Sequence, residues 1–254
     1  MGLRPIGRLV QADIHGILPR IGRAPHASWH PILKDIADQF KMANANGLFS
    51  MAVRGSVARG ASVSEAADLD LVLIFDDTAL SIKDIGCNAI QGVPVEISFI
   101  PCADFHTHED WAWMRFTLAH SGYTVFGHDY LPELLEPQIG PHCVAHLRDA
   151  DRWLRQWEIY WEEDKDYHAI CEWLMKRIVR SLFESQLKQL NGYTRDIYPC
   201  FQVAVEAFPH LRCAMLKAAE LAVSPDDNQD DILKIVDQLS PILLSKQTAL
   251  FNDV

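Results

Sequence analysis

The sequence lacks several features that would assign it to a specialised class of protein. It has no run of about 18 apolar residues, which a transmembrane helix requires, so we expect no membrane partner. Its arginine-rich N-terminus has no apolar core of about 7–15 residues, as a secretory signal would. The six cysteines are scattered and include no Cys-x-x-Cys pair. These absences predict a cytoplasmic protein with reduced thiols.

Basic charge is also scarce. The chain has 23 lysines and arginines against 34 acidic residues, a formal net charge of −11. Neutralising the phosphates of nucleic acid requires basic surfaces, so this balance disfavours general nucleic-acid binding. A small or cationic partner suits the acidic chain better. The 254 residues, 49% of them hydrophobic, are enough for one large or two small packed domains.

The segment of residues 53–75 carries the clearest chemical pattern. A strand-like run ends at Gly55-Ser56, a polar loop follows, and Asp68-Leu69-Asp70 opens a second strand. Residues i and i+2 of a strand share one face, about 7 Å apart, so both aspartates point the same way. Two carboxylates beside a Gly-Ser turn predict a Mg²⁺ site with a phosphate ligand.

A third carboxylate occurs on a later strand. Glu96 is the acidic residue of an otherwise apolar, β-branched run over residues 93–101. An acid in that setting is costly to bury unless it is paired or metal-bound. If this strand lies beside the strand of Asp70, Glu96 completes a three-carboxylate cluster for two cations about 3.5–4 Å apart. Glu96 would then be either a metal ligand or the general base for an acceptor hydroxyl.

This combination resembles the nucleotidyltransferase superfamily named for DNA polymerase beta. The shared pattern is Gly55-Ser56, eleven residues, Asp68-Leu-Asp70, and a later strand acid. The Val-Glu-Ile-Ser setting of Glu96 is similar to that in streptomycin/spectinomycin adenylyltransferases. The resemblance implies that Gly55 and Ser56 bind triphosphate, that Asp68 and Asp70 hold Mg²⁺, and that Glu96 is ligand or base.

Two arginines flank the Gly-Ser turn. A guanidinium there is a good partner for a β- or γ-phosphate, and we favour Arg59 over Arg54 for this role. The alternative is an ordinary solvent-exposed loop arginine.

The C-terminal part extends the resemblance. Residues 173–180, residues 191–198 and the Phe-Pro pair at 208–209 are similar to the helical domain of antibiotic-type adenylyltransferases. That similarity implies basic residues that meet the triphosphate. The candidates are Lys176, Arg177, Arg180 and Arg195, of which we prefer Arg177 and Arg195. The alternative for each is helix-surface charge or an intramolecular ion pair.

The pattern of turns and apolar residues predicts two domains. Residues 1–138 are predicted to form an α/β (α+β) nucleotidyltransferase domain with a small mixed sheet, and residues 139–254 an all-α helical bundle. Predicted strands cover residues 48–53, 69–75, 94–100 and 123–126. Predicted helices cover residues 28–42, 79–91, 108–120, 143–163, 166–190, 197–207, 210–222, 228–238 and 241–250. A short helix is also expected within residues 1–28, and Ser28 is the predicted N-cap of the helix that follows.

The predicted function is Mg²⁺-dependent transfer of a nucleoside monophosphate from a nucleoside triphosphate to a hydroxyl group. By resemblance, the expected donor is ATP and the expected acceptor a small molecule of aminoglycoside type, as in antibiotic resistance. One alternative is a protein or tRNA acceptor, as in toxin-like nucleotidyltransferases. The other is a regulatory protein that senses a nucleotide without transferring it.

Overall fold

The computed structural model describes residues 3–43, 47–66, 68–75, 89–90 and 92–252. The chain divides into two compact units. The sheet unit comprises residues 17–138, and the helical unit comprises residues 1–16 together with residues 139–254. From the sequence, a boundary is also predicted at 138/139, but residues 1–16 are predicted to belong to the first domain.

The sheet unit contains both helices and strands, whereas helices dominate the helical unit. In chain order they are β1 (Val10–Gln11), α1 (His30–Ala43), β2 (Leu48–Val53), α2 (Gly55–Ala58), β3 (Leu69–Phe75), β4 (Ala89–Ile90), β5 (Val93–Pro101), α3 (Cys102–Phe105), α4 (Ala112–Ser121), β6 (Tyr123–Gly127), α5 (Ala145–Arg148), α6 (Ala150–Glu163), α7 (Tyr167–Glu184), β7 (Gly192–Tyr193), α8 (Ile197–Ala207), α9 (Arg212–Leu221) and α10 (Gln229–Asn252).

The sheet unit is built on five strands in the order β4-β5-β3-β2-β6. The central strand β3 pairs antiparallel with β2 and parallel with β5. Its apolar residues are buried on both faces, because Leu71 and Leu73 join one core cluster while Val72 and Ile74 join another. Such a strand requires a continuous apolar run rather than an alternating one.

The predicted strands over 48–53, 69–75, 94–100 and 123–126 are confirmed, each to within one residue at either end. The helix predicted over 79–91 lies mostly outside the described residues, but residues 89–90 form strand β4 instead.

The predicted Ser28 cap is wrong. A 3₁₀ turn over Ala27–Trp29 precedes α1, and its N-cap is His26, whose Nδ1 accepts the Ser28 N–H. The Ser28 hydroxyl instead accepts from the N–H of Val63 at 3.2 Å.

The helical unit packs α5, α8 and α9 against α7, and its N-terminal segment adds strand β1 to β7. The predicted helix over 143–163 is interrupted, because a 3₁₀ turn at Pro141–Val144 and the short α5 precede α6. The two helices predicted on either side of Pro241 form the single helix α10. Pro241 faces solvent while Leu239 and Leu243 are buried, so core packing carries the helix past the proline. The short helix expected within residues 1–28 is absent from the described residues 3–26.

Among the residues that the structure describes, no helix is long and apolar enough to cross a membrane.

Candidate active site

Two of the predicted carboxylates lie opposite each other on neighbouring strands. Asp70 of β3 is paired in register with Glu96 of β5, and the two strands are parallel. The Asp70 side chain is 13% exposed, whereas that of Glu96 is 66% exposed. Asp68 lies one residue before β3 and is half-buried. At this register position, the sheet therefore carries one largely buried carboxylate, Asp70, and one solvent-exposed carboxylate, Glu96.

The Gly-Ser turn lies directly against Asp70. The chain leaves β2 at Val53, and Gly55 then adopts a φ of +71°, a region that glycine enters without steric cost. A Cβ atom on Gly55 would collide with the Asp70 Oδ2 atom. The N–H of Arg54 also donates to the Asp70 carbonyl at 3.1 Å. Glycine is required here both for the backbone conformation and for the close approach of the carboxylate.

Arg54, the less favoured of the two turn arginines, makes the direct contacts with the carboxylates. Its Nη2 atom is 2.8 Å from Asp70 Oδ1 and 3.5 Å from Glu96 Oε1. The guanidinium lies 5.4 Å from the centre of the Trp113 ring, within cation–π range. The Arg54 Nε atom is buried and has no hydrogen-bond partner among the described residues.

The carboxylate oxygens are chemically suited to a hard cation, but the described residues contain no ready-made metal cluster. Among the described residues, no group of three His, Cys, Asp or Glu side chains is arranged to hold a metal ion. Asp68, Asp70 and Glu96 stay the predicted ligands, and the Arg54 guanidinium pairs with two of them, Asp70 and Glu96. That guanidinium nevertheless shows that the Asp70 and Glu96 oxygens converge on one positive charge, and such oxygens suit Mg²⁺.

Ser56 and Arg59 begin and end the short turn of helix α2. The Ser56 carbonyl accepts the N–H groups of Arg59 and Ala61, and the Arg59 carbonyl accepts from Arg23 Nε at 2.8 Å. Both side chains are partly exposed. Burial, with a contribution from the nearby Arg59 guanidinium, lowers the pKa of His120. These bonds fix the backbone of the turn beside Asp70.

Three of the predicted basic residues form one cluster in the helical unit. Arg180 is largely buried, and its Nε donates to the Arg195 carbonyl at 3.2 Å. Burial and then Arg195 lower the pKa of Arg180 to about 10. Burial and then Arg195 also lower the pKa of Arg177. The Arg177 guanidinium lies over Trp173 at 4.6 Å, and its buried Nε has no hydrogen-bond partner among the described residues.

Acidic groups lie close to this cluster of Arg177, Arg180 and Arg195. Glu184 is 3.9 Å from the Arg195 guanidinium, and the charges of Glu184 and Asp149 partly compensate Arg177. Three guanidiniums that disfavour one another would be relieved by an anion with several oxygens, such as a polyphosphate. The fourth candidate, Lys176, is instead paired with Glu172 one helical turn away.

His146 and Glu184 also belong to this cluster, although neither is a site residue predicted from the sequence. Glu184 Oε1 lies 2.9 Å from His146 Nδ1, and the two residues are 38 positions apart. An acid within the apolar run around residues 182–184 was a usable signal for Glu184, because a buried carboxylate requires partners. The sequence contains no comparable signal for His146.

The pH dependence of stability should report the neutral state of His146. Burial and then the Arg195 guanidinium lower its pKa to about 4, against 6.5 in the unfolded chain. The unfolded state therefore binds the extra proton first, so this contribution is present above pH 6.5 and is lost as the pH falls toward 4. Between pH 7 and pH 4.5 the free energy of unfolding of the unchanged protein should fall by about 2–3 kcal/mol more than that of His146→Gln. Urea unfolding at each pH measures both. Parallel pH profiles for the two proteins would contradict this assignment.

Comparison with known proteins adds evidence on the fold. No protein-family model matches the sequence, and no curated protein matches it. The structure is similar to that of the spectinomycin adenyltransferase AAD(9) from Enterococcus faecialis, solved with ATP and spectinomycin. The TM-score is 0.56 at 14% sequence identity, over 84% of this chain and 98% of that chain. The predicted fold class is thus confirmed: this chain has the fold of a nucleotidyltransferase, with a small mixed sheet and a helical C-terminal region.

Proposed function

We propose that this protein is a Mg²⁺-dependent nucleotidyltransferase of the DNA polymerase beta type. It transfers a nucleoside monophosphate from a nucleoside triphosphate, with ATP as the expected donor, to a hydroxyl of a small-molecule acceptor. The observation that carries the proposal is the in-register pair of Asp70 and Glu96 with the Gly55 turn packed on Asp70. The likeness to an adenyltransferase solved with ATP and spectinomycin supports it.

Each predicted site residue of the sheet unit has a role in the proposed reaction. Bound Mg²⁺, expected as two ions on Asp68 and Asp70, would neutralise charge on the α-phosphate and on the leaving pyrophosphate. Glu96 accepts the proton of the acceptor hydroxyl, whose oxygen forms the new bond to the α-phosphorus. The bond between the α- and β-phosphates breaks, and pyrophosphate leaves. Gly55 and Ser56 bind triphosphate oxygens through the turn.

The basic residues supply charge for the phosphates. We assign Arg177 and Arg195 to phosphate oxygens, because the charge of Arg195 disfavours the charged form of Arg177 and both side chains are partly exposed. Arg59, on the turn beside Asp70, is assigned the same role. A bidentate guanidinium suits a phosphate better than a lysine does.

The acceptor is proposed to be cationic, of aminoglycoside type. A protein with a net charge of −11 has a field that favours the approach of polycationic small molecules. Glu96 is largely exposed, as a base that must reach a variable acceptor should be. A protein or tRNA acceptor remains the alternative, and acceptor screening with labelled nucleotide separates the two by whether label appears on the small molecule.

Thermal unfolding with each nucleoside triphosphate tests donor binding directly. A ligand that binds the folded state raises the unfolding midpoint by mass action. We expect ATP to raise it in the presence of Mg²⁺, with little effect when Mg²⁺ is omitted. The matched control is Asp70→Asn, which should lose the Mg²⁺-dependent part of the shift. No shift with ATP, GTP, CTP or UTP would contradict the proposal.

One observation favours the regulatory alternative. Arg54 already pairs with Asp70 and Glu96, as it would in a protein that binds a nucleotide without metal chemistry. A nucleotide shift that is independent of Mg²⁺ and unaffected by Asp70→Asn, without pyrophosphate release over a broad set of acceptors, would support that alternative.

A further inference from the structure

The guanidinium of Arg195 rests on a buried histidine. Its Nη1 lies 3.1 Å from His146 Nδ1, and its Nη2 lies 3.4 Å from His146 Nε2. Because each ring nitrogen faces a different guanidinium nitrogen, the guanidinium lies along the imidazole instead of making one end-on hydrogen bond. The His146 side chain is only 13% exposed. His146 therefore forms a platform for Arg195.

Glu184 fixes the orientation of that platform. Its side chain is 3% exposed, and its Oε1 is 2.9 Å from His146 Nδ1. Its Oε2 accepts the N–H of Leu147 at 2.8 Å. Since a carboxylate only accepts hydrogen bonds, the proton of the neutral ring lies on Nδ1. The indole of Trp153 also donates to the His146 carbonyl at 2.7 Å, so both the ring and its backbone are held.

The backbone around Arg195 is held as well. Arg180 Nε donates to the Arg195 carbonyl at 3.2 Å. The neighbouring Asp196 accepts the N–H of Arg8 from the N-terminal segment at 3.3 Å. A long side chain normally loses considerable rotamer entropy when it binds a ligand. An arginine fixed at both ends has already lost most of that freedom, so less affinity is lost on binding.

Arg195 also retains access to solvent. Its side chain is 21% exposed, whereas Glu184 beneath it is almost completely buried. A guanidinium presents its N–H donors in a fixed, planar fork that matches the oxygens of a phosphate. The exposed part can therefore meet phosphate oxygens while the buried part stays on His146.

We propose that Glu184 and His146 are positioning residues that orient Arg195 to bind the phosphates of the nucleotide. The inference rests on the proposed function, which assigns Arg195 to the triphosphate. Glu184 acts through His146 and Arg195 and does not itself meet the ligand. This role accounts for a carboxylate buried beneath an exposed arginine, where an apolar residue would be cheaper to bury.

A double-mutant cycle on ATP affinity tests the inference. ATP affinity is measured by calorimetry, with Mg²⁺, for Glu184→Gln, Arg195→Met and the double variant. We expect Glu184→Gln to weaken ATP binding about 5–10-fold, and Arg195→Met to weaken it about 10–100-fold. The double variant should match Arg195→Met within about 2-fold, because Glu184 then has nothing left to position. Glu172→Gln, on the same helix and paired with Lys176, is the control and should bind ATP normally.

A second readout separates positioning from general damage to the fold. Glu184→Gln should weaken the binding of inorganic tripolyphosphate by the same factor as the binding of ATP, and it should leave the affinity for adenosine unchanged. A variant with a disturbed fold would lose affinity for all three ligands. If Glu184→Gln does not fold, His146→Gln tests the same contact from the other partner and should give the same cycle.

Two outcomes would overturn the inference alone. Additive losses in the cycle would mean that Glu184 does not act through Arg195. Tighter ATP binding by Glu184→Gln would mean that Glu184 acts only as a negative charge near the phosphates. In either case the proposed function stands if the unchanged protein binds ATP and the Asp70→Asn substitution weakens that binding. An unchanged protein that binds no nucleoside triphosphate would overturn both.

Discussion

Asp70→Asn is expected to reduce nucleotidyl transfer by about 10³-fold or more while the protein remains folded. A metal ion that stabilises transition-state charge contributes several kcal/mol, and the substitution removes the most enclosed negative charge of its site. Asn has almost the shape of Asp, so the approach of Gly55 is preserved, and its Oδ1 can still accept from Arg54. Steady-state transfer with a labelled nucleotide measures the loss, and urea unfolding checks the fold.

The matched control for this variant is Glu65→Gln. Glu65 is an exposed acid of the polar loop before Asp68, and it accepts the N–H and hydroxyl of Ser62. Its substitution removes the same charge from the same unit and should leave transfer unchanged. Full activity in Asp70→Asn would remove Asp70 from the metal site and leave the regulatory alternative as the better account.

The sheet could be predicted from the sequence because its strands carry strong local signals. The run Leu69–Phe75 is continuously apolar after its first acid, as expected of a strand with both faces covered. Its parallel partner β5 is also mostly apolar around one acid, Glu96, over nine residues. The sequence predicted that Glu96 would join the aspartates only if the two strands were neighbours, and the register of Asp70 opposite Glu96 is seen in the structure.

The helical unit was predicted less well because its boundaries depend on packing. Proline at position 241 predicts a break, but buried Leu239 and Leu243 hold one helix through it. The segment Val10–Gln11 has no strand signal of its own and becomes a strand only by pairing with Tyr193 and Gly192. Contacts at such separations leave little trace in a local pattern.

The partners of the site residues were the least predictable part. Spacing identifies Asp68, Asp70 and Glu96 as acids of one sheet, but it does not show which cation they meet in the folded chain. The structure brings Arg54 to two of them, since the residue before Gly55 must pass beside Asp70. No spacing rule connects His146, Glu184 and Arg195, which converge from three separate elements.

The pairing of Arg54 gives its two carboxylates different tasks. The contact with Asp70 is short and shielded from solvent, whereas the contact with Glu96 is longer and Glu96 is largely exposed. An exposed ion pair at that distance contributes little, so Glu96 is readily released to another partner. A residue that must take a proton from an acceptor and return it to solvent requires that freedom. We therefore expect Glu96 to be the base and Asp70 the principal ligand.

Glu96→Gln should accordingly reduce kcat by about 10²–10³-fold and leave ATP affinity within about 3-fold of the unchanged protein. The amide cannot accept the acceptor proton, but the triphosphate groups and Asp70 are untouched. Single-turnover transfer gives the chemical step, and calorimetry with Mg²⁺ and ATP gives the affinity.

The same two measurements distinguish a base from a metal ligand. If Glu96 held the metal, Glu96→Gln would weaken Mg²⁺-dependent ATP binding as strongly as Asp70→Asn does. Glu109→Gln, an exposed acid of the same unit just after α3, is the control and should change neither quantity. Loss of the chemical step with retained ATP binding assigns the base, because only the base acts after the nucleotide is bound. Loss of both assigns a third metal ligand and returns the base to another group near the acceptor.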